Sequence, residues 1–503
     1  MSKNRTLYNL AANIVQFCVN LCIGFFLTPY IVKTLGKETY GFIGLINNML
    51  NITQIAIVAI NSMGSRFITI EYHRKQYDKV NQYMSSLLVA NSLLGLVSSM
   101  IFAFFIINIE VVLDVPAGMS TAVQITFVVL LLNMLITLLF SVFNVATFAT
   151  NRLDLSARRD ILCQLVRAVF LVSVFTLFPP SIVFVALASV LVSAITAVTN
   201  FYYTKKLMPE AQIKRSYFSF DKIKELFAAG VWNAVGRLGD TLMNGLDVAI
   251  SNILISASAM GIVSISKTIP TNVQALVTTI AAVFLPPITI SYAEGNIDGV
   301  VQKIRNAVKV ISIIATPFLV FLFAYGANFY RLWMPSEDAE LLRKLTILAL
   351  LPLYLTMGTK TISQIYTVCN KMKIYTSMML TMAALATITV FILLKTTNLG
   401  VYVIAGTSSC YLTILDLFIA PIFAAKFINK PMGIFYPQIV KHIFLMAGSI
   451  MISMGMRQFF PCETWSQIIM AGVINTIVVI MFNGIFLVRR EEINYIKSMI
   501  KKP

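Results

Sequence analysis

Residues 233–247 read Asn-Ala-Val-Gly-Arg-Leu-Gly-Asp-Thr-Leu-Met-Asn-Gly-Leu-Asp, with a polar side chain at every third or fourth position. That spacing places the polar side chains on one face of an α-helix. Three other stretches show the same pattern, so the sequence has four polar stripes. Their members are Asn9, Asn13, Gln16 and Asn20; Asn47, Asn51, Gln54 and Asn61; Asn233, Arg237, Asp240, Asn244 and Asp247; and Lys267, Thr271, Gln274 and Thr278. Because polar groups are costly in hydrocarbon, we expect these faces to line a bundle interior or a water-filled cavity.

The composition is that of an integral membrane protein. Of the 503 residues, 58% are hydrophobic and 12% are charged, and a soluble domain has about twice that charged share. A helix needs roughly 20 apolar residues to span a bilayer. Fourteen such runs lie near 10–31, 40–62, 83–107, 121–149, 159–178, 181–203, 226–254, 260–288, 308–330, 343–369, 376–394, 400–424, 440–458 and 466–488. The sequence therefore predicts an all-α membrane protein of about 14 transmembrane helices, with no removable signal peptide.

The basic residues fall mainly at one end of these spans. Of the 39 Lys and Arg residues, 28 lie in the termini and in the loops of one side, whereas 7 lie on the other side. The positive-inside rule then predicts that both termini are cytoplasmic. Arg167, in the fifth predicted span, is expected to extend its guanidinium toward the cytoplasmic interface. The net charge of +18 reflects this topology and attraction to anionic lipid, and it does not indicate nucleic-acid binding.

The stripes also form an internal repeat, in which matching positions are separated by a constant offset of 220 residues. Asn13 matches Asn233, and Gln54 matches Gln274. The fourth and tenth predicted spans share the offset through Ser141 and Thr361, Asn144 and Gln364, and Thr147 and Thr367. Since an even number of spans separates the copies, both have the same orientation about an axis along the membrane normal. The predicted organisation is an N-terminal six-helix lobe (1–205), a basic cytoplasmic linker (206–225), a C-terminal six-helix lobe (226–425), and two additional helices with a cytoplasmic tail (426–503).

Local motifs resemble those of a known family. The run Asn9-Leu-Ala-Ala12, the turn Leu35-Gly-Lys-Glu-Thr-Tyr-Gly41 and the stretch 227–287, which ends in Phe-Leu-Pro-Pro, resemble the Wzx-type polysaccharide flippases. These flippases belong to the multidrug/oligosaccharidyl-lipid/polysaccharide (MOP) superfamily. The resemblance covers the whole chain through its fourteen-span, two-lobe plan. It implies a V-shaped pair of lobes around a cavity, with spans one, two, seven and eight facing inward.

The resemblance also implies a function. It is the movement of an undecaprenyl-diphosphate-linked oligosaccharide, such as a repeat unit of O-antigen lipopolysaccharide, capsule or exopolysaccharide, across the bacterial cytoplasmic membrane. The expected partners are this lipid-linked oligosaccharide, membrane lipid, a coupling H⁺ or Na⁺, and a polysaccharide polymerase.

The polar stripes suit such a substrate. A sugar diphosphate needs a few cations for its phosphates and many amides and hydroxyls for its sugars. The candidate cations are Arg237, Lys267 and Lys360. The candidate amide side chains are Asn13, Gln16, Asn20, Asn47, Asn51, Gln54, Asn233, Asn244 and Gln274.

Three acids inside predicted spans, Asp240, Asp247 and Asp416, are candidates for ion coupling. Asp247 is the preferred carrier, because it lies more than two helical turns from Arg237. Two pairings remain open as alternatives. Arg237 and Asp240, three residues apart, could neutralise each other, and Lys360 could pair with Asp416 instead of contacting the substrate.

Two other classes of function compete with the flippase. A drug or organic-cation antiporter of the same fold would favour an anionic, aromatic-lined pocket, whereas the predicted cavity holds three cations and three acids among abundant amides. A membrane enzyme needs acid–base groups at its site, and both histidines, His73 and His442, are predicted to be cytoplasmic. We therefore expect a transporter without catalytic residues. No Cys/His cluster indicates a metal and no Gly-x-x-x-x-Gly-Lys loop indicates a nucleotide, so no cofactor is expected.

Overall fold

A computed structural model describes residues 3–109, 119–150, 152–357, 359–369, 371–460 and 462–487. All regular secondary structure in these ranges is helical. The all-α membrane class predicted from composition is thereby confirmed.

The helices of the described ranges form fourteen segments when helices separated by a short break are counted together. Segments 1 to 14 are Lys3–Leu35, Lys37–His73, Tyr77–Ile107, Ser120–Ala149, Leu153–Leu177, Ile182–Leu207, 220–254, 257–293, Ile297–Trp333, 339–368, Met372–Thr396, Val401–Phe427, Tyr436–Arg457 and Trp465–Leu487. They match the fourteen predicted apolar runs one for one. The number that cross the membrane stays a prediction.

Five segments contain breaks in their helices. Segment 4 comprises Ser120–Phe140, a 3₁₀ turn at Ser141–Asn144 and Val145–Ala149; segment 7 comprises Phe220–Asn244 and Asp247–Leu254; segment 8 comprises Ala257–Val283 and Leu285–Ala293; segment 10 comprises Ala339–Ala349, Leu351–Thr356, Thr359–Ile362 and Gln364–Val368; and segment 12 comprises Val401–Ile414, a π turn at Leu415–Ile419 and Ala420–Phe427. Such irregular turns often lie at functional positions. A short 3₁₀ helix, Arg215–Tyr217, lies in the linker.

Among the described residues, ten segments are long and apolar enough to cross a membrane, by length and composition alone. Segments 2, 7, 8 and 10 are the other four of the described part. Segments 2, 7 and 8 carry the second, third and fourth stripes, and segment 10 carries Lys360 and is divided into short helices.

The helix boundaries repeat along the chain as the stripes do. Segment 2 begins at Lys37 and ends at His73, and the helices of segment 8 begin at Ala257 and end at Ala293, so both boundaries keep the offset that separates Asn13 from Asn233. Segment 5, Leu153–Leu177, and segment 11, Met372–Thr396, have equal lengths and depart from this offset by a single position. The internal repeat therefore extends from the stripes to the helices themselves.

The chain folds as two compact units, Met1–Ser264 (unit 1) and Ile265–Pro503 (unit 2). In unit 1, apolar residues of segments 2, 3, 4 and 7 and of the linker form a core. Its fully buried members include Ile68, Met84, Val142, Met208 and Leu226. The limits of the predicted lobes, at 205, 226 and 425, stay predictions.

Unit 2 has two apolar cores. One joins segments 8, 9, 10, 13 and 14 and includes Val277, Ile311, Leu319, Met446 and Val479. The other joins segments 8, 9, 10, 12 and 13 and includes Ile288, Ile304, Ile365, Ala424 and Ile439. The two C-terminal segments thus pack onto segment 9 rather than forming a separate body.

Two glycines of unit 1 allow a close helix crossing. A Cβ on Gly41 would lie 2.8 Å from the backbone N of Gly261, and a Cβ on Gly261 would lie 2.3 Å from the Lys37 carbonyl oxygen. Both distances are too short for any side chain, so these positions require glycine. Gly41 and Gly261 are themselves equivalent positions of the internal repeat, and they join the starts of segments 2 and 8.

Candidate functional site

The four stripes lie on helices, as their spacing predicts. The side chains of several predicted site residues are outside the described part of the structure: Asn9, Asn13, Asn47, Asn51, Gln54, Asn233, Asp240 and Asn244. The geometry of the site therefore rests on Gln16, Asn20, Arg237, Asp247, Lys267, Gln274, Lys360 and Asp416.

Gln16 belongs to a polar chain that connects four segments of unit 1. Its Nε2 donates to Asp160 Oδ2 at 2.8 Å, and Asp160 Oδ1 pairs with Arg159 at 2.7 Å. Arg159 also donates to the side-chain oxygen of Asn200, which is 1% exposed. Asn200 in turn donates to Asn144 in the 3₁₀ turn of segment 4. This ion pair is partly buried, so further hydrogen bonds help to offset its desolvation, and the amides supply them.

A second network joins three neutral side chains of the described structure. Asn91 Nδ2 donates to Ser141 Oγ at 2.9 Å, and Asn91 and Asn61 exchange amide hydrogen bonds at 3.1 and 3.3 Å. Ser141 Oγ completes the triangle by donating to Asn61 Oδ1 at 3.0 Å. Asn91 is fully buried. These three side chains hydrogen-bond segments 2, 3 and 4 to one another.

The third stripe contains both an exposed and a buried charge. Arg237 is exposed, whereas Asp247 is 4% exposed at the first turn of the helix Asp247–Leu254. The predicted pairing of Arg237 with Asp240 stays open, because the Asp240 side chain is not described.

The fourth stripe lies on the face of segment 8 that the core of unit 2 leaves uncovered. Thr271 and Thr278 are exposed, and Lys267 and Gln274 are half-buried. On the adjoining face, Val277 is fully buried in the apolar core. The stripe therefore presents a cation, an amide and two hydroxyls away from its own unit's interior.

Lys360 and Asp416 form an ion pair in unit 2. Lys360 Nζ lies 3.7 Å from Asp416 Oδ2, and the side chains are 30% and 3% exposed. Lys360 comes from the short helix Thr359–Ile362, and Asp416 from the π turn of segment 12. The pairing that the sequence left open is thus the arrangement present in the structure. Any contact of Lys360 with substrate stays a prediction.

Arg167 does not occupy the place expected for it. It is the fifteenth of the 25 residues of segment 5, Leu153–Leu177, and its Nε is buried without a hydrogen-bond partner in the described structure. The expectation that Arg167 lies near the cytoplasmic end of this helix is therefore wrong, and its extension toward the membrane interface stays a prediction. The apolar run gave the start of the helix as 159, but the helix begins two turns earlier, so Arg167 lies past its middle.

A charged cluster at the start of segment 7 connects this segment to segment 3. Glu225 Oε2 accepts hydrogen bonds from Tyr83 Oη at 2.9 Å and from Lys222 Nζ at 3.0 Å. The Lys222 ammonium also lies 4.6 Å from the centre of the Tyr83 ring. Burial raises the pKa of the Glu225 carboxyl, but its hydrogen bonds with Lys222 and Tyr83 outweigh this effect and hold the pKa below its usual range.

Comparison with known proteins identifies the family. The sequence matches the family described as "Polysaccharide biosynthesis protein" over residues 31–337. The chain belongs to this family. It is also 25% identical over 502 residues to the "Uncharacterized membrane protein EpsK" of Bacillus subtilis (strain 168), and the match covers 98% of each chain. The predicted resemblance to polysaccharide flippases is thereby confirmed.

Solved structures show that this polysaccharide biosynthesis protein has the fold of MOP-superfamily transporters. The lipid II flippase MurJ in an inward closed conformation is similar with a TM-score of 0.70, at 16% identity over 96% of this chain and 98% of that one. An inward-facing multidrug resistance transporter of the MATE family gives a TM-score of 0.66, at 14% identity over 84% of this chain and 98% of the other.

Two site features were missed in the sequence. Asp160 lies inside the predicted run 159–178, and a charged residue within a span is a candidate functional residue in itself; that signal was present. Asn200 carries no such signal, because its importance comes from contacts with Arg159 and Asn144, which are far from it in sequence. Among the described residues, no group of His, Cys, Asp and Glu side chains forms a candidate metal site.

Proposed function

We propose that this protein is a flippase that moves an undecaprenyl-diphosphate-linked oligosaccharide from the inner to the outer leaflet of the bacterial cytoplasmic membrane. The polar stripes form the substrate's path, and the protein alternates between inward-open and outward-open states. The lipid tail stays in the bilayer. The protein supplies binding groups and no covalent chemistry.

The fourth stripe is the observation that supports this proposal most directly. A half-buried lysine with an amide and two hydroxyls, on a helix face that the unit's own core does not cover, matches a diphosphate that carries sugars. A face of this composition would be costly against lipid. Family membership supports the same assignment, since a polysaccharide pathway requires its lipid-linked intermediates to cross the membrane.

The test is surface glycan production in cells that depend on this gene. Lys267→Ala and Arg237→Ala should each lower surface glycan by about tenfold or more, since a loss of about 1.4 kcal/mol in binding is a tenfold effect. Lys395→Ala, at an exposed position outside the stripes, is the matched control and should leave output unchanged. Normal output with both stripe cations replaced, at equal protein level in the membrane, would refute the site assignment.

Ion coupling is proposed to involve Asp247. A gradient can drive the cycle only if an ion binds the two states unequally, and a membrane potential supplies about 2.3 kcal/mol per charge per 100 mV. Asp247→Asn should slow transport in proteoliposomes and flatten its dependence on an imposed H⁺ or Na⁺ gradient. An unchanged gradient response in Asp247→Asn would place coupling elsewhere or leave the substrate gradient as the driving force.

The proposed topology has both termini in the cytoplasm. A reporter fused after Lys206 or Pro503 should read as cytoplasmic, and one inserted at residues 337–340 should read as external. An external reading at Pro503 would imply an odd number of spans and would contradict the two-lobe plan.

A further inference from the structure

Unit 2 contains a cavity of about 220 Å³ between segments 9, 13 and 14. It lies near the starts of segments 9 and 13 and the last turn of segment 14, and no stripe residue is among the described residues that line it. The lining residues are Gln302, Arg305, Asn306, Val308, Lys309, Ser312, Gln438, Lys441, His442, Phe486 and Leu487.

The lining is strongly cationic. Arg305, Lys309 and Lys441 contribute three positive charges, and no acidic side chain is among the described residues that line the cavity. Arg305 Nε is buried without a hydrogen-bond partner in the described structure. A buried guanidinium donor without an acceptor is costly, and an anion in the cavity would relieve that cost.

Neutral donors complete the lining. Gln302 and Asn306 lie one turn apart, with Gln302 Nε2 3.4 Å from Asn306 Oδ1. Gln438 has a buried Oε1 without a partner in the described structure, and turning its amide over would offer the NH₂ group to an anion instead. The inner end is closed by Ser312 and His442, both buried, with Ser312 Oγ 3.2 Å from His442 Nδ1.

The same positions in unit 1 are filled by the protein itself. At the offset of the internal repeat, Asn81, Ser85 and Ser86 of segment 3 correspond to Val301, Arg305 and Asn306 of segment 9. In segment 3 their side chains accept hydrogen bonds from the linker backbone, at 2.7 Å from Gln212 N, 3.2 Å from Lys214 N and 3.0 Å from Ser219 N. In unit 2 a cation, Arg305, stands at the place of Ser85, and the helix face opens onto a cavity.

The surroundings of the cavity suit a lipid. Next to it, segments 13 and 14 present exposed apolar side chains, including Phe444 at 73% and Phe486 at 54% exposure. Lys441 Nζ donates to the Phe486 carbonyl oxygen at 2.7 Å, which holds the ammonium at the rim between the two helices. The predicted topology places this end at the cytoplasmic leaflet, where anionic lipids are enriched.

We propose that this cavity binds the phosphate headgroup of an anionic membrane lipid, with its acyl chains lying along the exposed faces of segments 13 and 14. Arg305 and Lys441 contact the phosphate, and the amides contact the rest of the headgroup. The site is separate from the transport path, and its occupancy stabilises the packing of the two C-terminal segments on segment 9.

The test is lipid binding by the purified full chain, followed by native mass spectrometry and thermal unfolding in detergent. Phosphatidylglycerol should bind and raise the unfolding temperature, whereas phosphatidylcholine with the same acyl chains should not. Arg305→Gln combined with Lys441→Gln should weaken phosphatidylglycerol binding at least tenfold. Lys371→Gln, a cation on the same predicted side but outside the cavity, is the matched control and should bind as the wild type does.

Two further ligands distinguish a lipid headgroup from other sources of phosphate. Inorganic phosphate that stabilises the protein as well as phosphatidylglycerol does would indicate a free-anion site and overturn the lipid assignment. Undecaprenyl diphosphate that displaces phosphatidylglycerol at lower concentration would make the cavity a substrate site, which also overturns it. Should the double variant fail to fold, Lys441→Gln alone, at an exposed rim position, must still weaken lipid binding several-fold. Wild-type lipid binding in either variant would refute the proposal.

Discussion

Segments 4 and 10 occupy equivalent places in the repeat and differ in chemistry. Each ends in a five-residue helix after an irregular turn, Val145–Ala149 in one and Gln364–Val368 in the other. In segment 4, Ser141 and Asn144 belong to networks with side chains of neighbouring helices. In segment 10, Gln364 Nε2 instead donates to the backbone oxygen of Ala281 at 2.6 Å.

The two segments also differ in the charge of the side chains near their helix breaks. The described side chains that hydrogen-bond to the turn of segment 4 are amide and hydroxyl groups. The Arg159–Asp160 pair of segment 5 is connected to this turn through Asn200. In segment 10, Lys360 lies in the short helix Thr359–Ile362 and pairs with the buried Asp416. The two segments therefore share their helix breaks but differ in the contacts beside them, which are amide and hydroxyl hydrogen bonds in segment 4 and an ion pair in segment 10. An ionic contact can be exchanged for another ion or a phosphate, whereas a closed amide network cannot.

The largest loss of stability is expected when the ionic contact of segment 10 is broken. Asp416→Leu leaves the Lys360 ammonium partly buried and without its carboxylate, and breaking a buried pair in this way costs about 3 kcal/mol or more. We expect a clear fall in thermal stability of the purified protein in detergent.

The double variant Lys360→Met with Asp416→Leu is the matched control. It removes both charges, so it should recover most of the stability that Asp416→Leu loses. A double variant as unstable as the single one would show that packing around residue 416, and not the charge pair, determines the effect.

A smaller loss is expected from the neutral network of unit 1. Asn91→Leu deprives Asn61 and Ser141 of partners in a buried site, at a cost of about 2 kcal/mol. Ser92→Ala is the control, because Ser92 is exposed and bonds only to the Leu88 carbonyl of its own helix in the described structure. Equal unfolding temperatures for the two variants would contradict the network's role.

The smallest effect concerns Glu225, whose carboxylate joins the linker-side end of segment 7 to segment 3. Its folded pKa is lowered, so its stabilising contribution is complete above the ordinary value of 4.5 and is lost as the pH falls below it toward the lowered pKa. Glu225→Gln should therefore be slightly less stable than the wild type at pH 7 and equal to it near pH 3. A gap between the two that is constant with pH would argue against the ionised contact.

Much of the fold could be predicted from hydrophobicity. The fourteen runs match the fourteen helical segments of the described residues, because burial in lipid requires long apolar stretches. The boundaries were less accurate. Segment 9 was predicted as 308–330 and extends over Ile297–Trp333, since its first three turns carry polar and basic residues that a hydropathy window rejects. Those turns hold Arg305 and the basic cavity.

The site was only partly predictable. The helical placement of the stripes follows from their spacing, whereas the Lys360–Asp416 pairing was one of two alternatives that the sequence left open and that the structure shows. The partners of Gln16 and Asn61 could not be deduced in the same way, since Asp160 and Asn91 reach them through packing of helices that are distant in sequence. Spacing within one helix says which face is polar, but it does not say which neighbour covers that face.

If the stripe on segment 8 forms the substrate path, it must face water inside the membrane, and cysteine labelling tests this most directly. In a cysteine-free background, a membrane-impermeant thiol reagent added from either side should modify Thr271→Cys. It should not modify Val277→Cys, which is buried in the core, or Phe318→Cys, which is 50% exposed on segment 9 without a polar stripe. Labelling at Thr271 that a lipid-linked oligosaccharide slows would support the proposed path. Equal labelling of Thr271→Cys and Phe318→Cys, or none at Thr271→Cys, would contradict it.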